Sequence, residues 1–136
     1  MSLVKTLIVD DHAAVRNALR LLIEEESELE CVGEAANGLL AMEAVRTLAP
    51  DLMLLDINMP ERNGLEVLRL LRAEKNEILV IILSNHTDTH YVDAAMRLGA
   101  NAFVGKDSGF EILLQAIQTV LTGAFFVDPG IRPGAA

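Results

Sequence analysis

The stretch LMLLDINMP, residues 52–60, decides how the chain folds. Leu52 to Leu55 form a continuous apolar run, too short for a helix and without the polar alternation of a half-exposed strand. Such a run reads as a strand covered on both faces, as in a parallel sheet. It ends on a carboxylate, Asp56. Pro60 follows closely; its fixed φ and missing N–H keep the chain from running straight into the next helix.

Similar runs recur on either side: LVKTLIV (3–9), LECVGEA (29–35), ILVIIL (78–83) and NAFVG (101–105). Helical stripes alternate with them. Val15, Ala18, Leu19, Leu22 and Ile23 follow i, i+3, i+4, i+7, i+8 spacing, and Ala41, Ala44, Val45 and Leu48 repeat it. Val67, Leu68 and Leu71 make a third stripe, and Val92, Ala95, Met96 and Gly99 a fourth. Leu113, Ala116, Ile117, Val120 and Leu121 make the last. Ser108 and Glu111 have the spacing of a capping box opening that last helix, and Gly99 and Gly123 stand where helix C-termini should fall. The alternation predicts an α/β fold: a doubly wound, five-stranded parallel sheet with five helices. Residues 1–127 form the predicted domain, and the Pro/Gly-rich 128–136 reads as a linker or C-terminal tail.

Composition narrows the function classes. The 136 residues favour one domain, and 51% hydrophobic content with mean hydropathy +0.34 excludes a disordered chain. Lys and Arg number 11 against 20 Asp and Glu, a net charge of −9. That balance argues against direct nucleic-acid binding by this domain, because phosphates need cations to replace their counterions. The one cysteine, Cys31, cannot form an intramolecular disulfide and reads as a small buried hydrophobe. No apolar run is long enough to span a bilayer and no signal peptide is evident. A cytoplasmic protein without a membrane partner is the expectation.

Ligands of open α/β sheets bind at the carboxyl ends of the strands. Asp10 and Asp11 follow the first predicted strand, Asp56 ends the third, Ser84 the fourth and Lys106 the fifth. Acids brought together there are costly: two unit charges about 4 Å apart repel by roughly 4 kcal/mol at an effective dielectric near 20. One lysine cannot neutralise three acids, and a hard divalent cation with oxygen ligands, Mg²⁺, is the simplest relief. An ionised carboxylate beside such a metal can attack phosphorus and become an acyl phosphate. Lys106 and Ser84 would then hold phosphoryl oxygens. Taken singly, any of these acids reads equally well as a helix or turn cap, Asp11 above all.

LIVDDH (7–12), LMLLDINMPERNGLEVL (52–68), VIILSN (80–85) and LGANAFVGKD (98–107) together resemble the receiver domain of two-component response regulators. The resemblance covers about residues 4–122. VGEAANG (32–38), the Lys106-Asp107 pair and AIQTVLTGAFFVDP (116–129) resemble receivers that precede a LuxR-type helix-turn-helix output domain; the sequence itself carries only the receiver, and reads either as the receiver part of such a protein or as a natural stand-alone receiver. The resemblance implies the flavodoxin-like strand order 2-1-3-4-5. It implies Asp56 as phosphoacceptor, Asp11 and Asp10 as the acidic pair at Mg²⁺, and the Asn58 backbone carbonyl as a further metal ligand. Lys106 would pair with Asp56 at rest and with the phosphoryl group afterwards, and Ser84 would sense phosphate. Phe103 stands where many relatives have Tyr; it is the implied switch aromatic, without a phenolic hydrogen bond to favour one rotamer. Asn58 and His86 fall where the family tunes the lifetime of the acyl phosphate. The implied partners are a histidine kinase, a second copy of the chain on phosphorylation, and the output domain, with transcription as the end point. The face of the fourth helix, fifth strand and fifth helix would carry the signal.

Other readings fit less well. A receiver-like interaction module independent of phosphate would not need Asp56, Ser84 and Lys106 intact. An aspartate-nucleophile phosphatase wants a second acid where Asn58 stands, and a flavin protein wants a Gly/Ser/Thr-rich loop where DDHAAVRN is acidic. No turnover of a separate substrate is expected. His86 and His90 are spaced as a metal pair but have no third ligand nearby in the sequence.

Overall fold

The computed structural model describes residues 3–59, 63–85 and 89–131; Pro60, His86 and the last five residues lie outside them. The elements are β1 (Val4–Val9), α1 (Ala13–Glu25), β2 (Leu29–Ala35), α2 (Gly38–Leu48), β3 (Leu52–Asp56), α3 (Gly64–Ala73), β4 (Leu79–Ser84), α4 (Thr89–Leu98), β5 (Ala102–Gly105), α5 (Phe110–Leu121) and β6 (Phe126–Val127). A single 3₁₀ turn, Lys106–Ser108, joins β5 to α5.

All the ladders are parallel, in the order β2-β1-β3-β4-β5-β6. The expected order 2-1-3-4-5 is contained in it, but the sheet has six strands, not five. After α5 the chain turns at Gly123 (φ +93°), and Phe126 and Val127 pair with Ala102 and Phe103 of β5. Two residues are too few to show a period, so this strand left no signal.

The doubly wound character appears in how side chains divide between the two faces. Met53 and Leu55 point into a core layer with α2, α3 and α4, contributed by Ala41, Val45, Val67, Leu68, Leu71, Val92 and Ala95. Leu52 and Leu54 point the other way, into a layer with Leu19 and Ile23 of α1 and Leu113, Ala116 and Ile117 of α5. Leu52, Met53, Leu54 and Leu55 are all fully buried, which is why β3 is apolar at every position. Burying one such side chain stabilises the fold by about 1.5–3 kcal/mol. β2, at the edge, buries only Leu29 and Ala35, so its sequence tolerates Glu30 and Glu34.

Polar groups close the amino end of the sheet. The Arg72 guanidinium, half-buried, donates through Nε (3.1 Å) and one terminal nitrogen (2.8 Å) to the Gly99 carbonyl, and also to Asn76 O (2.7 Å) and Asn101 Oδ1 (3.0 Å). These bonds tie the end of α3 to the turn between α4 and β5. Gly99 (φ +108°) ends α4 in the conformation expected of a C-terminal glycine.

Two caps differ from the sequence reading. α5 starts at Phe110 with Gly109 (φ +91°) at its N-cap, so Ser108 and Glu111 form no capping box; the Ser108 hydroxyl bonds to Asp128 instead. α1 has His12 at its N-cap with no side-chain cap, and Asp10, not Asp11, receives the His12 N–H (2.9 Å). At the other end of the chain, Asp128 and Ile131 are buried, so the segment read as a tail from 128 begins inside the packed unit.

α3 is seated directly on the end of β3. The Gly64 N–H donates to Ile57 O (2.7 Å), and a Cβ on Gly64 would stand 2.2 Å from the Asp56 carbonyl oxygen. Neither partner can yield without moving backbone. Gly64→Ala is therefore expected to lower the free energy of urea unfolding by about 1–3 kcal/mol or more. Gly33→Ala, whose Cβ would meet the flexible tip of Leu48 at 2.7 Å, should cost distinctly less.

Candidate functional site

β1 is the strand at which the order reverses: the chain leaves it for β2 on one side and returns to β3 on the other. The crevice of such a sheet opens beyond the carboxyl ends of these strands. Asp10 follows β1 directly and Asp56 ends β3; both are buried, at 1% and 3% exposure. Ser84 ends β4, fully buried and in register with Gly105 at the end of β5. Lys106 follows Gly105 and reaches back over the sheet edge.

The Lys106 Nζ lies 2.7 Å from Asp10 Oδ2 and 3.4 Å from Asp56 Oδ2. It bridges two acids and stands nearer Asp10 than Asp56, the acid with which it was expected to pair at rest. Asp11 and His12 complete the cluster: His12 Nδ1 is 3.2 Å from Asp10 Oδ1 and 3.1 Å from Asp11 Oδ1. Asn58 donates its backbone N–H to Asp56 Oδ1 (3.2 Å). The side chain of Arg16, on α1, donates to the Asp10 carbonyl (2.7 Å) and pairs with Glu34 of β2 (3.1 Å). It fixes the backbone from which the acid projects.

Burial pushes the Asp56 carboxyl above its ordinary range, and the Asp10 charge adds to this; Lys106 and the Asn58 N–H pull the other way without prevailing. Burial alone would lower the Lys106 ammonium, but its hydrogen bond to Asp10 and the two nearby charges outweigh that and raise it. One cation thus serves two buried carboxylates and does not satisfy both.

A divalent cation fits this shortfall. Ligand atoms from Asp10, Asp11, His12 and Asp56 lie within 4.8 Å of one another. Asp11 Oδ1 is buried and receives no hydrogen bond, although the His12 ring stands beside it. Asp10 Oδ2 has only the Lys106 ammonium beside it, and shares that cation with Asp56. An acidic pocket of carboxylate oxygens is the donor set of a hard metal ion.

Most of the residues singled out in the sequence meet here: Asp10, Asp11, Asp56 and Lys106 in contact or nearly so, with Ser84 and Asn58 on the strand ends around them. Phe103 lies two register steps back, fully buried in the core with Val92, Ala95 and Ile131. Side chains alternate along β4 and β5, and Ile82 faces Phe103, so Ser84 and Phe103 share one face of the sheet. His90 lies in the first turn of α4; its neighbour in the suggested metal pair, His86, is outside the described residues. Sequence reasoning missed Arg16, which looks like any surface cation on α1, and left His12 at the rim.

The fold and site together define a flavodoxin-like α/β protein with an acidic pocket and one lysine at the switch point. The family model described as "Response regulator receiver domain" matches residues 6–118. The chain belongs to that family. It is similar to the transcriptional regulatory protein YdfI of Bacillus subtilis, with 37% identity over 127 residues, covering 93% of this chain and 59% of that protein. It is equally similar to the nitrate/nitrite response regulator NarL of Escherichia coli, with 37% identity over 129 residues, covering 93% of this chain and 59% of the relative. The chain thus spans under two thirds of the length of these relatives. A crystal structure of a two-component response regulator of the LuxR family from Aurantimonas superposes with a TM-score of 0.90 at 32% identity, covering 96% of this chain and 93% of that one. The resemblance to LuxR-type response regulators seen in the motifs therefore holds.

The electrostatics make a prediction for the metal-free protein. The Asp56 carboxyl is raised relative to the unfolded chain, so its ionised form is disfavoured by folding. That penalty is full above the folded-state pKa and is relieved as pH falls through it. In the absence of divalent cations, Asp56→Asn is expected to raise the urea midpoint at pH 7. The gain should shrink toward pH 4, which a pH series of unfolding curves would show.

Proposed function

We propose that this chain is a phosphorylation-driven switch that accepts a phosphoryl group from a histidine kinase on Asp56. One observation carries the reading: Lys106 spans two buried acids, Asp10 and Asp56, in a pocket that also holds Asp11. An Asp56 oxygen attacks the phosphorus of the donor. A P–O bond forms as the P–N bond to the donor imidazole breaks, and the imidazole keeps the electron pair and gains a proton. Asp56 needs no general base because the attacking form is the carboxylate.

Asp11, Asp10, Asp56 and the Asn58 carbonyl would hold the metal, and Mg²⁺, when bound, neutralises charge that develops on the phosphoryl oxygens. Lys106 is placed to follow one of those oxygens, leaving Asp10 as it does so. The Ser84 hydroxyl donates to another. Ser84 and Phe103 share a sheet face, so inward movement at Ser84 is transmitted to the packing around Phe103 and to α4. The surface of α4, β5 and α5 then changes for a second copy of the chain or an output domain. Asn58, with His86, would govern how readily water reaches the acyl phosphate. The chain's chemistry is its own phosphorylation and dephosphorylation, in the service of transcription. Its net charge of −9 leaves nucleic-acid contact to an output domain. Among the described residues no helix is long and apolar enough to cross a membrane.

Incubation with Mg²⁺ and a small phosphodonor, followed by intact mass, is expected to show one phosphoryl adduct, absent from Asp56→Asn. An unmodified wild type, or an undiminished adduct on the variant, would sink the reading. Mg²⁺ without donor should stabilise the wild type by about 2.7 kcal/mol at a hundred times its Kd. In Asp11→Asn the same addition should leave the melting temperature nearly unchanged.

A further inference from the structure

Lys106 is carried by a turn with few anchors of its own. The 3₁₀ segment Lys106–Ser108 has no side-chain cap, and it sits between two glycines, Gly105 and Gly109. What grips it comes from the other end of the chain. Asp128, 2% exposed, accepts the Gly105 N–H at Oδ2 (2.9 Å), and the Ser108 hydroxyl donates to the same oxygen. The Asp128 N–H donates to Phe103 O (2.9 Å). One residue therefore bonds to the chain just before Lys106, two residues after it, and at the buried aromatic of β5.

We propose that Asp128 is a positioning residue for Lys106, a latch through which the segment leaving the domain sets where the site ammonium stands. The proposal rests on the phosphorylation reading above and names a regulator of that same site. A purely local role for Asp128 accounts for only two of these five bonds. Oδ1 accepts the Gly130 N–H (2.8 Å) and its carbonyl accepts the Ile131 N–H (2.9 Å), which shape its own turn. Oδ2 is directed wholly to the Lys106 turn. Ile131, beyond that turn, is buried in the same core cluster as Phe103, so the exit segment is fastened on both sides of the latch. Burial opposes the Asp128 charge, yet the bonds from Ser108, Gly105 and Gly130 more than offset it and keep the carboxyl below its ordinary range.

The coupling runs both ways, as any such linkage must. A phosphoryl group that draws Lys106 inward pulls on Gly105 and Ser108, and so on the exit segment. A partner that displaces the exit segment loosens the ammonium.

The test uses the full chain and two readouts. Side-chain NMR of Lys106, assigned by Lys106→Arg, reports the position of the ammonium without phosphate. Initial rates with a small phosphodonor at saturating Mg²⁺ report its use. Asp128→Ala is expected to shift the Lys106 signals toward those of a solvated lysine. It should slow phosphorylation roughly tenfold or more, as misplacement of a catalytic group does. Mg²⁺ binding itself should persist, because the acids are untouched. Asp128→Asn, which keeps an acceptor oxygen, and Ser108→Ala, which keeps the Gly105 bond, should fall between.

Wild-type Lys106 signals and rate in folded Asp128→Ala would overturn the proposal. Should Asp128→Ala fail to fold, Ser108→Ala decides by the same two readouts. Should the wild type take no phosphate, the phosphorylation reading fails by itself. The Lys106 signals then decide alone whether Asp128 positions the ammonium.

Discussion

The Lys106 ammonium, 2.7 Å from Asp10 and 3.4 Å from Asp56, is the interaction on which the rest of this molecule depends. Without a cation there, two buried carboxylates at the ends of adjacent strands would repel across a low-dielectric edge. With only one cation, the repulsion is reduced and not abolished, and Asp56 remains above its ordinary range. The pocket is thus held in incomplete balance. Under the proposed function, an added charge, whether a divalent metal or a phosphoryl group, would change which acid the lysine serves. A fully satisfied site would have no such response.

Holding that imbalance in place requires a rigid support, and the sheet supplies it. β3 is buried at every position from Leu52 to Asp56, and α3 is seated against its end so closely that Gly64 has no room for a side chain. Arg16 fixes the Asp10 backbone from α1. The stability of the apolar layers offsets the electrostatic cost at one edge, a common arrangement where charged groups are kept for function.

Much of this was legible in the sequence because the signals were local. Continuous apolar runs separated by helical stripes specify a parallel doubly wound sheet, and strand ends alone bring Asp10, Asp56, Ser84 and Lys106 to one edge. The sixth strand was not legible, since Phe126 and Val127 carry no period and pair only because Gly123 turns the chain back. The capping box at Ser108 failed for a related reason: a buried carboxylate from residue 128 competes for the hydroxyl, and Gly109 starts the helix later. Asp128-Pro129-Gly130 does announce a turn, which accounts for the bond from Gly130 to Oδ1. Nothing local announces where Oδ2 goes, because Gly105 is 23 residues earlier in the chain. Lys106 bridging to Asp10 was missed likewise: order along the chain locates strand ends, but not which of two neighbouring acids a long side chain prefers.

Arg72 gives the fold a mechanical asymmetry. Its bonds to Gly99, Asn76 and Asn101 pin the turn from which β5 departs, whereas the opposite end of that strand carries the lysine. A strand pinned by several bonds at one end, and held near the other through the single residue Asp128, is a lever. β5 has four residues, an arm of about 13 Å at 3.3 Å per residue. A tilt of about 5° about the pinned turn carries Gly105 through about 1 Å while leaving Asn101 where it was. That travel is comparable to the difference between the two distances Lys106 now keeps from its acids. Arg72 would then serve as a fulcrum: a rearrangement that exchanged one acid for the other would need only a slight rotation of an otherwise unaltered strand.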